Sequence, residues 1–135
     1  MKKTGYWKNG KKAWEEHRNN KDVLHRLKGP AITTWYSTGP ICTESYYVNG
    51  KNTNNKLPVH IMYYEDGYSI IQEKYIVDEL SITINYEKKS LRLVEPTQKI
   101  SKTIYDKNEI ITFIKQRNNK ECDDFIDFLK SKEVM

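Results

Sequence analysis

Gly10, Gly39 and Gly67 are separated by 29 and then 28 residues, and this period constrains the fold more than any other feature of the sequence. Each closes a similar phrase: Tyr6-Trp7-Lys8-Asn9-Gly10, Trp35-Tyr36-Ser37-Thr38-Gly39 and Tyr63-Tyr64-Glu65-Asp66-Gly67. A recurrence of this length marks a supersecondary unit repeated in tandem. The second and third copies align without a gap from Pro30 and Pro58 through to Tyr47 and Tyr75. Glu15, Glu44 and Gln72 share one offset, five residues beyond their glycine.

The unit reads as a β-hairpin. Asn-Gly and Asp-Gly accept the positive φ that a tight turn demands, and aromatic or β-branched residues flank them on both sides. The pattern predicts strand 31–36, turn 37–40, strand 41–48 and a second turn at Asn49-Gly50. The third unit gives strand 59–64, turn Asp66-Gly67 and strand 68–77. Leu80, Ile82, Ile84 and Tyr86 then alternate with polar residues, the signature of a half-buried strand. The turn Glu87-Lys88-Lys89-Ser90 leads into Leu91-Arg92-Leu93-Val94. Lysines and prolines are expected to guard the open sheet edges.

After this the period changes. Asp106-Lys107-Asn108-Glu109 reads as a capping box, with the Asp106 side chain accepting at the helix start and Glu109 reaching back. Ile110, Phe113 and Ile114 share a helical face, and Asn118-Asn119 breaks the run. Cys122, Phe125, Ile126 and Leu129 follow at i, i+3, i+4 and i+7. Acidic residues open this second helix and lysines close it, as the helix dipole favours. The two apolar stripes suit packing on the sheet, or binding of a partner helix. The expected fold is therefore α+β and mainly β: an antiparallel meander of repeated β-hairpins over 1–95, then two short C-terminal α-helices within 96–135, packed on the sheet.

Composition narrows the class. The mean hydropathy of −0.84 is low, but 10 Tyr, 3 Trp and 3 Phe in 135 residues are too many for a disordered chain. An aromatic-rich, thin core is the expectation. No apolar run approaches the roughly 18 residues of a membrane span, and the first residues are not followed by the apolar stretch of a signal peptide. A soluble cytoplasmic protein without membrane association is expected, in the host cytoplasm if it is viral. Cys42 and Cys122 have no CxxC or metal-knuckle spacing and read as reduced, small apolar residues.

The sequence carries 23 Lys+Arg against 18 Asp+Glu, a formal charge of +5. The excess sits at the front, where residues 1–30 hold 9 basic and 3 acidic side chains. However, 19 of the basic residues are Lys, and Lys, Asn, Ile and Tyr make up 54 residues in all. All four have A/T-rich codons, so genome composition explains part of the charge.

At His25-Arg26-Leu27-Lys28-Gly29-Pro30-Ala31-Ile32, followed by an aromatic pair, a glycine turn and Tyr46-Tyr47-Val48-Asn49-Gly50-Lys51, the chain resembles a variant of the MORN repeat. Such arrays occur in small proteins of tailed phages and giant DNA viruses, and in some proteins labelled antitoxins. The resemblance covers about residues 5–77, and its specific part is the HRxxGPA phrase. Lys56-Leu57-Pro58-Val59 stands where a second HRxxGPA would fall, and Val77-Asp78 replaces Asn-Gly. The resemblance implies a hairpin-repeat sheet with stacked aromatics, no cofactor and no common activity. Relatives with MORN repeats are associated with protein scaffolding and lipid head groups.

No motif names a reaction. His17, His25 and His60 lack HxH or HExxH spacing, so no metal site is expected, and His25-Arg26 reads as shaping the turn before Gly29-Pro30. Glu15-Glu16, Glu65-Asp66 and Asp123-Asp124 are acidic pairs of the kind any solvated surface carries, so a non-enzymatic role is expected. The candidate binding residues are Trp7, Lys8, Lys11, Lys12, Trp14, Arg18, Arg26 and Lys28, a basic and aromatic N-terminal face. Interleaved cations and rings could track and stack unpaired bases. The favoured reading is instead a phage- or virus-type accessory protein that binds a protein partner, a host protein, as an inhibitor of a defence or nucleic-acid-handling complex. Nucleic-acid binding, an antitoxin-like role and homo-oligomerisation remain as alternatives.

Overall fold

A computed structural model describes residues 1–55, 57–95, 100–104 and 106–131. In chain order the elements are β1 (Lys2–Tyr6), β2 (Lys12–His17), β3 (Ile32–Trp35), β4 (Ile41–Ser45), β5 (Tyr47–Val48), β6 (Lys51–Asn52), β7 (His60–Tyr63), β8 (Ile70–Val77), β9 (Leu80–Asn85), β10 (Ser90–Glu95) and β11 (Ile100–Ile104). The helices α1 (Lys107–Lys115) and α2 (Lys120–Ser131) follow. Nine strands form an antiparallel meander in the order β1-β2-β3-β4-β7-β8-β9-β10-β11, and β5 and β6 make a separate two-stranded ribbon. This is the expected fold class.

The repeat glycines do the same work three times. Gly10, Gly39 and Gly67 have φ of 86°, 118° and 83°, where a side chain would be strained. Each donates its N–H to the carbonyl three residues earlier, on Trp7, Tyr36 and Tyr64, at 3.0 Å. The expected strand 41–48 is interrupted at Tyr46, whose N–H goes to the Val59 carbonyl at 2.9 Å. Its last residues, in β5, pair instead with β6 around Asn49 and Gly50, both at positive φ.

The chain divides into two compact units, Met1–Glu73 and Lys74–Met135. The division falls inside β8 and not near residue 95, because β9 and β10 share their core with the helices. In the second unit Leu80, Ile82, Ile84, Leu91 and Leu93 point inward and meet Ile110 and Ile114 of α1 and Cys122, Phe125, Ile126 and Leu129 of α2. Fully burying one such Leu or Ile is worth roughly 1.5–3 kcal/mol. The expected aromatic-rich core is corrected here: this core is mainly aliphatic, with Tyr75 and Phe125 as its buried rings and Phe128 packed against them, centroids 5.3–5.6 Å apart. In the first unit, Ala31 and Val59 are the buried apolar residues among those described, beside buried Thr33, Ser45 and Glu73. Its rings remain half-buried or exposed.

Strand β11 was not foreseen in the sequence, which assigned that stretch to the helical segment. It pairs with β10 from Leu91↔Ile104 to Glu95↔Ile100 and buries Ile104. The helix start holds in part: Asp106 accepts from the Asn108 N–H at 2.9 Å, but the Glu109 carboxylate is bonded by Lys102. Asn118 breaks the helices at φ 51°, and Asn119 caps α2 by accepting from the Cys122 N–H at 2.9 Å. At the β8–β9 turn, Asp78 and Glu79 adopt φ of 49° and 67°, values that cost a side-chain-bearing residue energy. Arg117 holds the turn: Nε donates to Asp78 Oδ2 at 2.9 Å, Nη2 to the Asp78 carbonyl at 2.6 Å, and Nη1 to the buried Glu95.

Candidate functional site

The repeat period becomes a ladder of contacts in the first unit. Trp7 Nε1 donates to the Trp35 carbonyl at 3.2 Å, Asn9 Nδ2 to the Ser37 carbonyl at 2.8 Å, and Lys11 Nζ to the Thr38 carbonyl at 3.1 Å. One repeat on, Tyr36 Oη donates to the Tyr63 carbonyl at 2.6 Å and Thr38 Oγ1 to Glu65 Oε2 at 3.4 Å. The donor and acceptor are always 27 or 28 residues apart. The three glycine turns therefore stand side by side as a row at one end of the hairpins. The first brings Lys8 and Lys11, and the third brings Glu65 and Asp66. Tyr6, Trp7, Tyr64 and Tyr68 are exposed in or beside these turns, Tyr68 to 78%.

This places the eight candidate residues. Trp7, Lys11 and Lys12 come together on the second repeat, with Lys12 Nζ 5.5 Å from the Trp35 ring centroid and 3.3 Å from Glu15 Oε1. Lys8 and Lys28 are exposed, with no partner among the described residues. Trp14 lies over Gly5, so closely that a Cβ on Gly5 would fall 2.1 Å from its Nε1. Arg18 is taken by Glu16 at 3.1 Å and by the Asp22 carbonyl at 2.9 Å. Arg26 lies in a separate cleft. Of the eight, Lys11, Lys12 and Arg18 thus bond to the protein itself.

Sequence reasoning passed over a set of half-buried polar groups on the same unit. His17 Nε2 is 2.9 Å from Glu15 Oε2, and Tyr63 Oη donates to Glu44 Oε1 at 2.6 Å. The shared offset of Glu15 and Glu44 within the repeat was the available signal, and the strand register places both opposite Thr33. His17, with Lys12 and Lys2, holds the Glu15 carboxyl below the usual carboxylate range. Burial, and then the Glu44 carboxylate, push the Tyr63 phenol up. In the second unit, burial pushes the Cys122 thiol up, which keeps it in the unreactive protonated form.

A cleft of about 330 Å³ opens at the HRxxGPA phrase, lined by Arg26, Leu27, Tyr46, Val48, Asn54 and Asn55 among others. A second, of about 440 Å³, opens beside Arg117, Asp78 and Glu95. Among the described residues no three His, Cys, Asp or Glu side chains group to hold a metal ion, and no helix is long and apolar enough to cross a membrane. Compared with protein-family models, with curated proteins and with solved structures, the chain matches none.

Proposed function

We propose that this chain is a non-enzymatic accessory protein of phage or virus type that acts by binding a protein partner through its first unit. The observation that supports this reading is the row of three turns, which lines up exposed Tyr6, Trp7, Tyr64 and Tyr68 on a frame fixed by repeat-to-repeat hydrogen bonds. Tyr and Trp on a preformed surface supply large contact area at low entropic cost and are enriched among residues that dominate binding. The basic start and acidic end of the row add a charge pattern that sets orientation. The MORN-like phrase adds the expectation that the partner is a host protein and the outcome its inhibition. Nucleic acid is the weaker reading, since three of the cations that would contact phosphate are engaged within the protein.

Tagged full-length chain should retain a stoichiometric partner from host lysate at physiological salt. The triple substitution Tyr6→Ala, Tyr64→Ala, Tyr68→Ala should abolish retention while leaving the melting temperature within a few degrees, as exposed positions allow. Retention by the variant equal to that of the wild type sinks the proposal. So does tight, steeply salt-dependent binding to oligonucleotides with no protein retained.

A further inference from the structure

Arg26 stands apart from the other N-terminal cations because its guanidinium is positioned yet nearly unused. Its backbone N–H is anchored on the Tyr47 carbonyl at 3.0 Å. Its guanidinium lies against Gly29, where a Cβ would come within 3.2 Å of Cζ, and Gly29 holds φ of 122°. Nη1 donates to the Pro30 carbonyl at 3.3 Å, and among the described residues no carboxylate pairs with it. A guanidinium has five N–H donors in a fixed fork, so four have no acceptor among the described residues. The rest of the HRxxGPA phrase builds the same frame. His25 Nδ1 accepts from the Asn49 N–H at 2.9 Å, and Ala31 is fully buried, bonded on both sides to neighbouring strands.

Arg26 lines the cleft of about 330 Å³ together with Gly29, Tyr46 and Asn54. Burial pushes the Tyr46 phenol up from its ordinary 10.0, and a phenol at neutral pH can donate. Asn54 is tied back to the Pro58 carbonyl at 2.8 Å, which fixes that wall. Leu27, 77% exposed, and Val48 form an apolar lip. The carboxylate whose charge reaches Tyr46 is Glu44, and Glu44 already accepts from Tyr63. A planar, half-buried, unpaired arginine with an apolar margin matches a carboxylate flanked by an aliphatic side chain, because the fork bonds both oxygens at once.

We infer that this cleft is a recognition pocket for an acidic side chain of a partner protein, with Arg26 forming the bidentate contact and Leu27 covering a neighbouring aliphatic residue. This rests on the reading of the chain as a protein-binding module and names the chemistry of one contact.

The test uses isotope-labelled full-length chain titrated with the peptide acetyl-Leu-Glu-Leu-amide, its Gln counterpart, and inorganic phosphate. The Glu peptide should saturably shift the Arg26 Nε–H and Asn54 amide signals, binding at least tenfold tighter than the Gln peptide, about 1.4 kcal/mol. Arg26→Gln should remove the shift. Arg26→Lys, the variant to read if Arg26→Gln fails to fold, should weaken binding at least tenfold because the fork is lost. No saturable shift at millimolar peptide, equal binding of the Gln peptide, or tighter occupancy by phosphate each overturns the inference. If the peptide fails while a partner is still retained through the turn row, the pocket alone falls. If the peptide binds but no partner is retained, the wider reading falls and the pocket stands.

Discussion

The two units bury different things. The second packs an aliphatic core, with Leu80, Ile82, Ile84, Leu91 and Leu93 wholly out of solvent beneath Ile110, Ile114 and Leu129. The first buries little apolar surface and is organised by hydrogen bonds that recur with the repeat. Hydrophobic burial scales with area removed from water, whereas each hydrogen bond is worth only about 0.5–1.5 kcal/mol net. Apolar burial is therefore concentrated in the second unit, and the proposed function would leave recognition to the first. Rings absent from the first unit's core lie half-buried or exposed at its surface.

The comparison is broken most sharply in the second unit. Leu91→Ala should cost about 2–5 kcal/mol, because the cavity lies among residues that cannot collapse into it; a urea midpoint within error of the wild type would contradict the assignment of stability to this core. Arg117→Ala should cost about 2 kcal/mol, since it removes the cation beside the buried Glu95 and frees the strained turn at Asp78 and Glu79; the signature is faster amide exchange at those two residues. In the first unit, Gly5→Ala forces the Trp14 ring off its seat and should cost about 1–2 kcal/mol with a red-shifted tryptophan emission. Tyr36→Phe, which deletes one rung of the ladder, should cost about 1 kcal/mol; equilibrium unfolding followed at the turn-row signals checks it.

The smallest effects are those of pH, and they should appear at both extremes of the first unit. Glu15 titrates below its ordinary 4.5 in the folded chain, so its contribution is present above that value and is lost as pH falls toward the lowered one. Tyr63 titrates above its ordinary 10.0, so stability is full below pH 10.0 and declines as pH rises toward the raised value. Glu15→Gln should flatten the acid limb and Tyr63→Phe the alkaline one, measured as melting temperature against pH.

Much of this was legible in the residues. The glycine period located all three turns, and the switch from alternation to i, i+3, i+4 spacing located both helices. Strand β11 was missed because its central Ser101-Lys102-Thr103 is polar, and only pairing with β10 makes it a strand. The aromatic residues were misjudged for a related reason: a ring beside a turn satisfies the strand pattern whether it faces a core or solvent. The internal bonds of Lys11, Lys12 and Arg18 were not legible, because they find their acceptors across strands and turns, through contacts that no linear spacing displays. Arg26 was picked as one of the basic N-terminal residues, and its motif read as shaping a turn, but the cleft it lines depends on Gly29, Tyr46 and Asn54 meeting in space.

The rungs between repeats have a further property. In every one the donor belongs to the earlier turn and the acceptor to the later: Trp7 to Trp35, Asn9 to Ser37, Lys11 to Thr38, Tyr36 to Tyr63 and Thr38 to Glu65. The row thus has a direction, as a polar filament has, and its two ends are complementary rather than alike. Any contact between copies that prolonged this row would run head to tail, giving a ring or an open chain and never a two-fold dimer.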